Sequence, residues 1–204
     1  MTEDVQDIIL NAAEKEFSAK GFDGARVDQI AREAGVNKAL LYYYFKSKKG
    51  LLQALYERLI DKGFSTLEFE SLSEGGRFID DPESFTRFYG TFLRFFENYR
   101  DIIRILMIES LKKEGDSPIL ELAKIYLDGR ALKLVEEMKA DGFHTDEDHR
   151  QWAVTEFFTG MMPFLSYILF KDEFRKILGI SAEELNRYFM QSIASTHLHS
   201  HREQ

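Results

Sequence analysis

At 204 residues the chain is long enough for one large domain or two small ones, and its 44% apolar, 14% aromatic and 30% charged residues exclude disordered and fibrous classes. The absence of cysteine rules out disulfides and thiolate metal sites and fits a reducing compartment. A net charge of -8 argues against nucleic acid for the chain as a whole, yet residues 26–49 hold six Lys/Arg against two acids, a local +4 that leaves 21 minus 33, or -12, elsewhere.

The acidic, amphipathic start MTEDVQDIILNAAEKEF lacks the basic flank and apolar centre of a signal peptide, so a cytoplasmic location is expected. Val5, Ile8, Ile9, Ala12, Ala13 and Phe17 form a stripe at helical spacing that predicts a first helix ending at Gly21. A short second helix fits Asp28 to Ala34, stopped by Gly35. Asn37 stands where an N-cap belongs for a third helix from Lys38 to Phe45, and Ser47 caps a fourth that runs into the mid-sixties on Leu51, Leu52, Leu55, Leu59 and Ile60. SLSEGGRFIDD, residues 71–81, reads as a loop between two functional regions.

Asp81-Pro82 then opens a helix bearing Phe85, Phe88, Tyr89, Phe92, Phe95, Phe96 and Tyr99. Further helices are predicted from about Asp101 to Glu114, from Ser117-Pro118 to about Ala140 before Gly142, and from a Thr145/Asp148 capping box to about Phe170. A Ser181/Glu184 box starts the last. The apolar run Phe157 to Phe170 spans 14 residues, short of a bilayer crossing, and reads as a buried helix; no membrane partner is expected. Gly160 and Pro163 inside it predict a weakened or kinked helix. The fold class is all-α, with about nine helices and no convincing strand.

Residues 34–50, AGVNKALLYYYFKSKKG, pose one conflict: Leu40 to Phe45 are β-favouring by propensity but fenced by Lys38, Lys46, Lys48 and Lys49. A strand here has no alternation and no partner strand elsewhere. As a helix, the segment turns Leu41 and Phe45 inward against Ile30, Ala31 and Ala34 and leaves Lys38, Ala39, Leu40, Tyr42, Tyr43 and Tyr44 on the outer arc. Two short helices joined by AGVN, apolar inside and lysine-tyrosine outside, describe a helix-turn-helix whose second helix can enter a major groove.

GFDGARVDQIAREAGVNKALLYYYFKSKKGLL, residues 21–52, resembles the DNA-binding segment of the tetracycline-repressor (TetR) family of bacterial regulators. The resemblance implies a helix-turn-helix domain over residues 1–47 and a helical ligand-binding and dimerisation bundle over 48–204. It makes Asn37 the cap of the recognition helix, Lys38, Leu40 and Tyr43 base-facing residues, and Ala39 the small residue at closest approach. Tyr42, Tyr44 and Lys48 are the implied phosphate contacts. The family's hydroxyl residues are replaced here by Ala25 and Arg26, so Arg26 takes over a phosphate contact or Asp28 caps the second helix internally. The resemblance further implies a homodimer through the last two helices, about Asp146 to Phe170 and Ala182 to Leu198. Its partners are then a double-stranded palindromic operator and a small effector, with repression as the expected outcome.

The aromatic stripe suits either ordinary core or the wall of a cavity for a hydrophobic or aromatic effector. Candidate pocket residues are Phe88, Phe92, Met107, Tyr126, Arg130, Trp152, Phe157 and Met161, with Glu156 and Tyr167 as further polar groups. The tail histidines His197, His199 and His201 read as a frayed, solvated terminus, and the acids among His144, Asp146, Glu147, Asp148 and His149 suit a helix start; no metal or cofactor is expected. The sequence contains no nucleophile elbow, phosphate-binding glycine loop, HExxH or cysteine nucleophile, so no enzyme is expected. The alternative is a small-molecule binding protein or enzyme with a vestigial helix-turn-helix.

Overall fold

The computed structural model of the protein describes residues 4–73, 82–112, 117–125, 127 and 149–198, and among them there are helices and no strand. The helices are α1 (Val5–Gly24), α2 (Val27–Glu33), α3 (Lys38–Phe45), α4 (Lys48–Ser73), α5 (Pro82–Glu97), α6 (Arg100–Lys112), α7 (Pro118–Ile125), α8 (His149–Thr155), α9 (Met162–Leu178) and α10 (Ala182–Ile193). Two π-helical segments, Glu156–Met161 and Ala194–Leu198, follow α8 and α10. The chain divides into two compact units, residues 1–62 with 101–122, and residues 63–100 with 123–204.

In the first unit most of the stripe expected on α1 is buried: Ile9, Ala13 and Phe17 are fully enclosed and Ala12 nearly so, while Val5 and Ile8 are half-buried and Leu10, outside the stripe, is buried with them. Asp4 caps the helix by accepting the Gln6 N–H at 3.2 Å, and Gly21 breaks it with φ 68° before one more turn to Gly24. A left-handed residue at this point costs glycine nothing. The α4 helix is strapped to α1 by Arg58, whose guanidinium donates to Asn11 Oδ1 at 2.8 Å and Glu14 Oε2 at 2.9 Å. Ser110 joins α6 to α7, donating to the Leu106 carbonyl at 2.7 Å and accepting the Ile119 N–H at 2.9 Å. The α6 helix also reaches the end of α1, where the Lys112 ammonium meets the Asp23 carboxylate at 2.5 Å. That hydrogen bond holds the Asp23 carboxyl below its usual range.

The second unit is built on rings. Tyr89 stacks on Phe164 at 4.8 Å, Phe92 meets Phe164 at 5.4 Å, and Phe164 meets Phe189 at 5.3 Å. Burial pushes the Tyr89 hydroxyl upward from the ordinary tyrosine value. Arg100 donates to Asp172 Oδ2 at 2.9 Å and the Leu169 carbonyl at 2.6 Å, both on α9, and Lys171 pairs with Glu97. The Ser181/Glu184 box is formed, the hydroxyl accepting the Glu184 N–H at 3.1 Å and the carboxylate accepting the Ser181 N–H at 3.0 Å. The Ser181 backbone and side-chain bonds keep the Glu184 carboxyl below its usual range.

Several expectations change. The fourth helix continues through Ser73, so residues 71–73 of the expected loop are helical and the rest of it lies outside the described residues. The Thr145/Asp148 box, the helix end near Ala140, and the cluster from His144 to Asp148 also lie outside them, as do His199 and His201. The helical run containing Phe157 to Phe170 reaches Leu178, long and apolar enough by length and composition to cross a membrane. It is not the buried helix expected: Phe158 and Phe170 are exposed, because only one side of the run is covered by the aromatic core. The kink expected at Gly160 is a π-helical widening instead.

His197 is the clearest correction, since it is 2% exposed and not solvated. Its Nδ1 lies 2.9 Å from Thr159 Oγ1, whose proton is committed to the Thr155 carbonyl at 2.7 Å, and its Nε2 is 3.6 Å from Glu156 Oε1. The ring fills the notch that Gly160 leaves, where a Cβ would fall 2.9 Å from its Cε1. Gly160→Ala is therefore expected to lose about 1 to 3 kcal/mol by overpacking. Urea denaturation of Gly160→Ala alone and combined with His197→Ala checks this: the second change should restore part of the loss.

Candidate nucleic-acid interface

The turn between α2 and α3 forms as its residues dictate. Gly35 takes φ 67°, its N–H donates to the Arg32 carbonyl at 3.1 Å, and the Val36 N–H donates to Ala31 at 3.0 Å, the pair of bonds that closes a Schellman motif. Asn37 then caps α3, its Oδ1 accepting the Leu40 N–H at 2.8 Å. Leu41 is fully buried and Phe45 nearly so, alongside Ile30 and Ala31 of α2. Lys38, Ala39, Tyr42 and Tyr43 are exposed, Tyr43 at 69%, while Leu40 and Tyr44 are half-buried.

The α2 helix starts without a side-chain cap, so the internal cap expected from Asp28 does not form. Arg26 occupies the N-cap position, exposed and bonding no helical amide, and its own N–H donates to Glu16 Oε1 of α1 at 3.3 Å. Glu16 is kept ionised by Lys20, one turn on, with the Arg26 amide contributing. Sequence reasoning missed Glu16 because it lies ten residues away, on another helix.

Three lysines of the fence, Lys38, Lys46 and Lys48, are held by the protein itself. The Lys38 ammonium is 2.7 Å from Asp28 Oδ1 and 5.9 Å from the centre of the Tyr42 ring. Lys46 donates to the Tyr43 carbonyl at 2.7 Å, and Lys48 donates to the Asp23 carbonyl at 3.1 Å while lying over the Phe22 ring. The turn from α3 to α4 is tight: Lys46 has φ 61°, and the Ser47 N–H donates back to Phe45 at 2.6 Å. Ser47 then caps α4 through the Gly50 N–H at 2.9 Å.

Thus Arg26, Asn37, Lys38, Ala39, Leu40, Tyr42, Tyr43, Tyr44 and Lys48 all fall on α3, at the N-caps of α2 and α3, or at the start of α4, in one unit. The candidate pocket residues are dispersed by contrast. Phe92 sits in the ring stack, Trp152 is buried, Phe157 and Met161 are half-buried, and Met107 belongs to α6 in the first unit. Tyr126, Arg130 and the Phe88 side chain lie outside the described residues. A cleft of about 170 Å³ opens elsewhere in the second unit, lined by Glu97, Tyr167, Lys171, Arg175 and Asn186 among others. Among the described residues Tyr167 is the one polar candidate that lines it, and burial pushes its hydroxyl up to about 12.

A capped eight-residue helix, seated by two apolar residues and presenting lysine and tyrosine, defines a helix-turn-helix protein of the DNA-binding class. Residues 9–55 match the model of the family described as bacterial regulatory proteins, tetR family. Over these residues the chain is similar to the DNA-binding segment of that family. It is 49% identical over 53 residues to the HTH-type transcriptional regulator RutR of Escherichia coli K12, covering 26% of this chain and 25% of that one. With the HTH-type transcriptional repressor NicS of Pseudomonas putida it shares 33% over 107 residues, covering 52% and 48%. The matched region thus spans about a quarter to half the length of these curated relatives.

The fold extends further than the sequence match. A TetR-family regulator from Rhodococcus sp. superimposes with a TM-score of 0.65 at 21% identity, over 94% of this chain and 97% of that one. Another, from Syntrophomonas wolfei, gives 0.66 at 17% over 95% and 94%.

Gly50 tests how closely the turn is built. A Cβ there would stand 2.1 Å from the Phe45 carbonyl oxygen, a backbone atom that cannot move without displacing α3. Gly50→Ala is expected to destabilise the protein by at least about 2 kcal/mol, by the magnitude of core overpacking. Thermal melting followed by circular dichroism checks it.

Proposed function

We propose that the protein is a ligand-responsive transcriptional repressor that binds a palindromic operator as a homodimer and is released by a small, largely apolar effector. One observation carries the reading: α3 is anchored by Leu41 and Phe45 so that Lys38, Ala39, Tyr42 and Tyr43 project together. Lys38, Leu40 and Tyr43 reach base edges, while Tyr42, Tyr44, Lys48 and Arg26 contact phosphates. Residues 1–47 carry DNA binding; residues 48–204 carry effector binding and dimerisation. The NicS relationship, over half the chain, supports repression, and the regulator relatives support a cytoplasmic, non-enzymatic role.

The dimer forms through α8 to α10. Phe170, Phe174, Ile177 and Leu178 repeat at i, i+4, i+7 and i+8 along α9 and are all exposed, with Ile177 at 78%. An apolar stripe of that length on a charged surface marks an association site. Twofold symmetry then places two reading heads about 34 to 36 Å apart on one face of the duplex. The effector lodges among the aromatic helices and acts through α4, a single helix with residues in both units. A shift of α4 alters the spacing of the heads, and a coupling of about 1 to 3 kcal/mol suffices.

Two measurements test this. Tyr42→Ala and Lys48→Ala should each weaken binding to a duplex selected from a random pool, and each should flatten log K against log salt by about 0.9, one phosphate contact. Undiminished affinity in both contradicts the interface. Phe174→Glu with Ile177→Glu should sediment as a folded monomer at concentrations where the parent is a dimer; a dimer that persists removes the α9 interface.

A further inference from the structure

Asp28 is an acid set within the surface that must meet polyanionic DNA, and its surroundings give it a role. It lies in the first turn of α2, where helix amides favour a carboxylate, and its Oδ1 stands 2.7 Å from the ammonium of Lys38. Lys38 is the first residue of α3, the end of a helix where a cation is disfavoured. The Tyr42 ring, one turn on, offers the same ammonium its face at 5.9 Å. Both partners are largely solvent-exposed, so the pair is exchangeable and not a structural staple. The hydrogen bond that Lys38 donates to Asp28 raises the ammonium's pKa above the usual lysine value.

We propose that Asp28 is a specificity-determining residue: it withholds Lys38 from indiscriminate phosphate binding and directs its ammonium toward base edges. The inference rests on the DNA-binding reading of α3. Without Asp28, Lys38 is free to swing to the nearest phosphate, a contact every sequence offers equally, and a repelling charge is removed from the surface as well. With Asp28 in place, a random phosphate must compete with a carboxylate already in contact. A base edge that accepts hydrogen bonds, such as the O6 and N7 of guanine, can be approached while the carboxylate stays nearby. The acid thus lowers affinity for all DNA and lowers it least for the right sequence, a case of specificity through penalty on the competitor.

Glu33 supplies the control. It is the other acid of residues 26–49, also on α2, but it pairs with Lys15 of α1 at 3.7 Å. Glu33→Gln changes net charge as much as Asp28→Asn does without touching Lys38.

The experiment titrates the full-length protein, Asp28→Asn, Glu33→Gln, Lys38→Met and Asp28→Asn/Lys38→Met against a random-sequence duplex pool by fluorescence anisotropy, from about 50 to 200 mM salt. The same proteins are used to select sites from the pool. Asp28→Asn should bind random duplex about two- to fivefold tighter at the lowest salt and steepen the salt slope by about 0.9, one added phosphate contact. Its selected sites should carry less sequence information than the parent's. In the Lys38→Met background, the added slope should vanish. The assignment is overturned, with the DNA-binding reading intact, if Asp28→Asn matches the parent in slope and selected sites, if Glu33→Gln has an equal effect, or if the effect survives Lys38→Met. A parent that binds no duplex at the lowest salt overturns that reading and this assignment together.

Discussion

The seating of α3 is the constraint from which the rest of the interface descends. Eight residues are too few to hold a helix in water, because nucleation is unfavourable and a short helix recovers few bonds. What holds this one is the burial of Leu41 and Phe45, about 1.5 to 3 kcal/mol each if fully transferred from water. Asn37 contributes about 1 kcal/mol more at its start. Because those two apolar residues stand at i and i+4, they fix the helix's rotation as well as its existence. Everything on the outer arc is then aimed by a choice made on the inner one. The tight turn at Lys46, with Ser47 bonding back to Phe45 and then capping α4, fixes the far end in the same way.

The electrostatics follow a second logic, in which three of the patch's lysines are provided with a weak internal partner. Lys38 lies on Asp28, Lys46 on the carbonyl of Tyr43, and Lys48 on the carbonyl of Asp23. Exposed contacts of this kind are worth about 0 to 1 kcal/mol, so a phosphate can displace the two carbonyl contacts at little cost, whereas at Lys38 it must also compete with the Asp28 charge. They still orient the ammonium groups before any duplex arrives and reduce the side-chain entropy lost on binding. On a body of charge -12, a +4 patch also favours approach through that patch, since the rest of the chain is net negative.

How far residues foretold structure depended on the distance over which the information acts. Asn37, Gly35 and the Ser181/Glu184 pair act within four residues, and each sits in the geometry that its type and spacing implied. The inward Leu41 and Phe45 were legible because helical period alone separates them from their neighbours. Glu16 under the Arg26 amide and Arg58 across α1 were not legible, since both join segments distant in sequence. His197 misled for the same reason. In a polar tail it looked solvated, and only the notch at Gly160, more than thirty residues earlier, explains its burial. The exposed face of α9 was misread too, because an apolar run shows that burial is wanted but not by what.

That last point bears on why one reading head does not suffice. Few side chains of α3 can reach base edges, and a good base contact discriminates by about 1 to 3 kcal/mol. Regulators separate their sites from bulk DNA by roughly 4 to 10 kcal/mol, more than so short a helix supplies dependably. Two heads joined rigidly add their discrimination, and the second binds at the high effective concentration that the first creates. The stripe from Phe170 to Leu178 is suited to supplying that joint, and its exposure in a single chain is what such a role requires. On the proposed reading the greasy face of α9 and the brevity of α3 are linked: a small reading helix is adequate in a protein that also pairs.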